Sequence, residues 1–315
     1  MSKDFFIEVP LYSRPVEYLA KINRTEDIGI MVYGGIPNSP FNGGRMNSAL
    51  DGLRLWGRRG FSLSPQQLEY ATAKFYKTVS QINGQGMAFC AVSTNIFVSP
   101  EELNAPNLNP FQWLVESSQK YGVKNGVIIN NGLLEEHLRR KYGNSLVYIS
   151  SCTKYVSKHK MLSPKDTMEM YKKDTAKYDF VVLTPQDSRR EKLIRNMVGE
   201  NKNKIIAIAN SYCSNNCNSY HHYEYLSKQN KISLLRGAVN RQAVSWAVKF
   251  LTHTLNCSVY WHAFFPVEVE KIAAMQLEAG VVNFKLGRGL GAEKFEKLVE
   301  LIRKFKENRL VGDAT

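Results

Sequence analysis

The densest chemistry in the chain lies in the run Asn210-Ser211-Tyr212-Cys213-Ser214-Asn215-Asn216-Cys217, which continues through His221, His222 and Tyr223. Two thiols stand four residues apart in a polar loop that follows a β-rich segment. Soft thiolates suit an iron–sulfur cluster or zinc, and a short loop lets two of them converge on one metal centre. Non-functional free cysteines are usually buried, so the polar setting argues against two ordinary loop thiols. A third thiol, Cys257, opens a segment that runs through Tyr260, Trp261 and His262 to Pro266. Cys90 and Cys152 lie upstream. Zinc accepts imidazole as well as thiolate, so Cys213 and Cys217 with His221 or His222 form a competing set. Adjacent histidines rarely converge on one ion without backbone strain, so at most one of them would bind. The odd total of five cysteines, with no signal peptide before them, argues against a disulfide framework.

Other polar positions could bind anions. Tyr33 to Arg45 is rich in Gly, Pro and Asn; its glycines permit close backbone approach, and Arg45 could hold an anionic group bidentately. Arg54, Trp56, Arg58 and Arg59 follow, a set able to stack on a base or ring. Gly287-Arg288-Gly289-Leu290-Gly291-Ala292 has the spacing of a dinucleotide fingerprint. No acidic residue closing a following strand accompanies it, so a phosphate site at a helix start or a tight turn is the better reading. No serine nucleophile elbow, zinc-protease helix or P-loop is present, so the residues themselves give no support for proteolysis.

These residues need a frame. Short segments rich in Val, Ile, Phe and Tyr recur at Phe5–Val9, Ile28–Tyr33, Met87–Thr94, Gly126–Asn130, Ser145–Ser151, Asp179–Leu183, Lys204–Asn210 and Val281–Leu286. Several are near-continuous apolar runs, as expected for strands covered on both faces. Helical periodicity separates them at Pro65–Ile82, Pro110–Tyr121, Gly132–Tyr142, Lys165–Lys173, Ser188–Val198 and Ala292–Glu307. Strand and helix alternating eight times predict an α/β fold, a (β/α)₈ TIM-barrel-like single domain over residues 1–315. A cysteine-bearing insertion, residues 213–266, separates the last two strands and carries one amphipathic helix near Gly237–Leu251. Barrel active sites sit where strands end, so Glu8, Asn130, Asn131, Gln186 and Asp187 point to the same rim by position.

The chain has 42 Lys and Arg against 28 Asp and Glu, a net charge of +14, and 43% hydrophobic residues. That is enough apolar material for a large core, which excludes a disordered tail protein. The charge permits an RNA partner without requiring one, since a solvated basic surface has the same composition. No apolar run approaches the ~18 residues of a membrane span, and the first residues lead straight into a strand. The expectation is a soluble cytoplasmic protein.

Taken together, Cys213, Cys217, His222-Tyr223, Cys257, Pro266 and the closing strand Phe284-Lys285-Leu286-Gly287-Arg288 resemble, in type and order, the collagenase-like peptidase family, peptidase family U-32. The closing motif departs by one residue, because Gly287 directly follows Leu286. The resemblance spans residues 126–305 and is looser before them. It implies a barrel carrying a 4Fe-4S cluster with Cys213, Cys217 and Cys257 as ligands. Cys152, after the fifth strand, is the expected fourth, and Cys90, inside the third, the expected core thiol. It also implies an oxygen-independent, hydroxylase-like or other redox modification of RNA or of a small aromatic, quinone-like substrate, served by an electron donor. Arg45, His222 and Arg288 are the expected catalytic or substrate-orienting residues. Peptidase activity, and a non-catalytic nucleic-acid-binding barrel stabilised by zinc, are the alternatives.

Overall fold

The computed structural model describes residues 3–43, 65–156, 163–210, 224, 227–228, 269–287 and 293–312. Eight parallel strands pair in sequence order and close into a barrel, with helices on the connections between them. This is the TIM-barrel-like α/β fold expected from the alternation. The strands are β1 (Phe5–Pro10), β2 (Ile28–Gly34), β3 (Ala88–Ser93), β4 (Gly126–Ile129), β5 (Val147–Ser150), β6 (Phe180–Val182), β7 (Ile205–Ile208) and β8 (Asn283–Lys285). The helices are α1 (Val16–Thr25), α2 (Pro65–Gly84), α3 (Ala105–Tyr121), α4 (Gly132–Tyr142), α5 (Thr153–Val156), α6 (Pro164–Lys177), α7 (Glu191–Asn201), α8 (Val269–Glu278) and α9 (Glu293–Gly312).

Both faces of the strands are apolar because both are covered. Every residue of β2 is buried, and successive side chains alternate between two environments. Ile30, Val32, Phe89, Val127, Val181, Ala207 and Phe284 pack outward against the helices in the main core. Met31, Tyr33, Cys90, Ile128, Ile149, Val182, Ile206 and Ile208 form a second cluster that fills the barrel. Backbone approach inside is tight. The Phe6 ring occupies the space beside Gly29, where an added Cβ would lie 2.3 Å from it.

Helix starts follow the capping rules. Ser163 and Asp166 form a capping box at α6, and the Asn131 side chain accepts from the backbone of Leu133 and Leu134 at α4. Several elements differ from the sequence reading, three of them instructively. α1 is an additional helix; it buries Leu19, Ala20 and Ile22. α3 begins at Ala105 instead of Pro110, because Asn104 caps it and Leu108 is already buried, which outweighs the backbone donor lost at Pro110. Asp187–Arg189 is a single 3₁₀ turn, and α7 starts only at Glu191. The loop 44–64 and, apart from residues 224 and 227–228, the insertion 213–266 lie outside the described residues. Among the described residues, no helix is long and apolar enough to cross a membrane.

The N-terminal ends of β3 and β4 are pinned by a buried amide pair. Asn125 accepts from the Phe89 backbone and from the Asn83 side chain, each at 2.8 Å. It donates to Asn83 Oδ1 at 2.9 Å and to the Leu114 carbonyl at 3.1 Å. Asn125→Ala strands several of these groups away from water. At about 1–3 kcal/mol for each unsatisfied group, the expected loss is several kcal/mol. Urea unfolding measures it, and a midpoint equal to that of the native chain would contradict the pinning role.

Candidate functional site

Glu8 and Lys285 are the charged side chains of the eight strands. Closure of the barrel makes them neighbours, since Glu8 of β1 pairs in register with Lys285 of β8. Lys285 Nζ donates to Glu8 Oε2, and the ammonium lies 3.6 Å from the centroid of the Tyr33 ring. Tyr33 Oη donates in turn to the Leu286 carbonyl at 2.5 Å. The Glu8 side chain is 3% exposed and that of Lys285 12%. Glu8 Oε1, also buried, has no hydrogen-bond partner among the described residues.

Burial pulls Lys285 toward its neutral form, but the Glu8 carboxylate and then Tyr33 outweigh it, and its pKa ends above the ordinary lysine value. Two thiols share this field. Cys152 follows β5, is half-buried, and packs against the interior cluster. Burial pushes its thiol up to about 11, Lys285 pulls it down, and Glu8 pushes it up. Cys90 is fully buried within β3, and burial followed by Glu8 raises its thiol well above normal. The barrel mouth therefore holds a fixed cation, a carboxylate oxygen able to accept one more bond, and a thiol that is protonated at neutral pH.

Most of the polar rim residues act as fasteners. Asp187, fully buried, accepts from Tyr171 Oη and Thr184 Oγ1, both at 2.8 Å, and pairs with Arg190. Asn131 caps α4, and Gln186 is buried. Asn130 donates to Thr153 Oγ1 at 2.8 Å, tying the end of β4 to the segment after Cys152. Asn210, past β7, is paired reciprocally with the Gly287 backbone. Its Nδ2 donates to the Gly287 carbonyl at 3.1 Å, and its Oδ1 accepts from the Gly287 N–H at 2.5 Å. Cys213, Cys217, Cys257, His221, His222, Arg45, Arg54, Trp56, Arg58, Arg59 and Arg288 lie outside the described residues.

Among the described residues, no group of three or more His, Cys, Asp or Glu could hold a metal ion, and Cys152 is the one expected cluster ligand within them. Cys152 stands past the end of β5 with Lys285 in electrostatic reach, although burial outweighs that cation and leaves its thiol raised, at about 11. Cys90 does not, being enclosed against Gly126, where a Cβ would lie 2.9 Å from its sulfur. The sequence reading placed Glu8 at the rim but missed its partner. The signal was available in principle, since a closed barrel must set its first strand beside its last.

No protein-family model matches the chain, and no curated protein matches its sequence. Among solved structures, the U32 peptidase Mk0906 is similar at 13% identity, over 92% of this chain and 95% of that one, with a TM-score of 0.48. At that distance the likeness carries no argument, and the barrel rests on this chain's own strand pairing.

Removing one partner of a buried ion pair strands the other charge. Glu8→Leu is expected to cost about 3–5 kcal/mol, and Glu8→Leu with Lys285→Met to recover most of it. Because the folded pKa of Lys285 is raised, its stabilisation is complete below the ordinary lysine value of about 10.4 and is lost as pH rises through the folded one. Native protein should therefore lose stability above that pH faster than the double variant. Urea titrations at neutral and alkaline pH test both points; a double variant no more stable than Glu8→Leu would refute the pairing argument.

Proposed function

We propose that this chain is a barrel enzyme that holds a 4Fe-4S cluster at its C-terminal rim and carries out an oxygen-independent, redox-type modification of RNA or of a small aromatic, quinone-like substrate. One observation carries the reading. Cys152 follows β5 on the same rim from which the chain leaves β7 at Asn210, and Cys213 is the third residue beyond Asn210.

Cys152, Cys213, Cys217 and Cys257 are the proposed ligands. A cluster so held supplies one-electron transfer when bound. The residues around it would do the rest. Lys285, kept charged by Glu8, offers N–H donors to a substrate oxygen, and Glu8 Oε1 can accept from a neighbouring donor. Arg45 and Arg288 are proposed to hold anionic parts of the substrate, and His222 to move a proton. The net charge of +14 supports a phosphate-bearing substrate. The electrons are assigned to a separate donor protein.

Anaerobic purification with iron and sulfide analysis and a visible spectrum tests the proposal. Brown protein with a broad band near ~400 nm is the expected result. Serine at Cys213, Cys217 or Cys257 should each abolish the band, and Cys152→Ser should lower iron content with it. Colourless protein with stoichiometric zinc would overturn the cluster reading. An unchanged spectrum in Cys152→Ser would remove that residue from the ligand set.

A further inference from the structure

One carboxylate grips the chain on both sides of Cys152. Asp174 lies on α6, outside the barrel wall. Its Oδ2 accepts from Lys154 Nζ at 2.8 Å, from Ser150 Oγ at 3.2 Å and from Tyr155 Oη. Ser150 Oγ and Tyr155 Oη also meet each other at 2.5 Å. Ser150 is two residues before Cys152, while Lys154 and Tyr155 are two and three after it. Within the segment, the Tyr155 N–H donates to the Cys152 carbonyl at 3.2 Å, and Ser151 Oγ meets Thr153 Oγ1 at 2.9 Å.

The grip is buried and backed from outside. Ser150 is fully buried and Tyr155 nearly so. Lys154 Nζ also donates to Tyr178 Oη at 3.2 Å, and Tyr178 Oη donates to Glu135. The other oxygen of Glu135 takes Arg139 and Lys177, each at 2.8 Å. An apolar contact would hold α6 to the barrel at least as well, because buried charge repays its desolvation only when geometry is tight. What a carboxylate adds is direction. All three of these donors come from one six-residue stretch, and the thiol sits inside it.

We propose that Asp174 is a positioning residue that fixes where the Cys152 thiol stands at the barrel rim, acting through Ser150, Lys154 and Tyr155. The proposal rests on reading the rim as the site, but it concerns the geometry of the thiol and can be tested without a metal. Metal-free, reduced protein is treated with iodoacetamide at one fixed pH, and modification of Cys152 is followed by peptide mass mapping. Asp174→Asn and Tyr155→Phe should each raise the Cys152 rate by about fivefold or more, because alkylation follows access to the thiol, which a loosened segment increases. Tyr155→Phe keeps the ring against Tyr171, 4.7 Å between centroids, and so carries the test if Asp174→Asn does not fold. Asp166→Asn weakens the capping box of the same helix without touching the segment, and should lower thermal stability while leaving the rate unchanged.

Unchanged rates in folded Asp174→Asn and Tyr155→Phe, or equal acceleration in Asp166→Asn, would overturn the proposal. The ligand role of Cys152 is read separately, from the iron content of Cys152→Ser, so failure of one idea is distinguishable from failure of the other.

Discussion

The seam between β1 and β8 governs the rest of this molecule. A closed barrel has no edge strand, so the first and last strands must meet in a single register. In this chain that register places a carboxylate against an ammonium inside an otherwise apolar cylinder. Neither charge is tolerable there alone. Each makes the other possible, and together they set the field in which both described cysteines titrate. The same seam also connects, through the Leu286 carbonyl, to the Tyr33 hydroxyl, so three strands take part in one small polar cluster.

Much of the fold could be read from periodicity. Strands covered on both faces appear as apolar runs, and their spacing leaves room for one helix each, so eight repeats imply closure. The failures were local. Pro110 looked like a helix start, and the cap that overrides it, Asn104, lies six residues earlier. Periodicity began a helix at Ser188, whereas Asp187 turns inward to Tyr171 and Thr184 and α7 starts only at Glu191. In the first case an earlier local cap took precedence, and in the second a side chain took a tertiary partner in Tyr171.

The site was legible in a different way. Position on a strand end marked Glu8 and Asn130, and residue type marked the cysteines. Partnership was not visible. The Glu8–Lys285 pair joins residues 277 apart, and the three donors on Asp174 come from another layer of the fold. Rim position also overstated function, because Asp187 and Asn131 spend their hydrogen-bonding capacity on holding loops and helices. Glu8, by contrast, keeps a buried carboxylate oxygen with no hydrogen-bond partner among the described residues.

The tie between Asn210 and Gly287 couples two strand ends through one joint. It fastens the point where the chain departs after β7 to the point where it departs after β8, using one side-chain amide and the backbone of a single glycine. A Cβ at position 287 would press on Asn210 Oδ1 at 3.2 Å, so the joint favours the smallest residue. Asn210 itself is thereby held on a post that the barrel maintains. Loosening this one joint would therefore release the ends of both β7 and β8 at once.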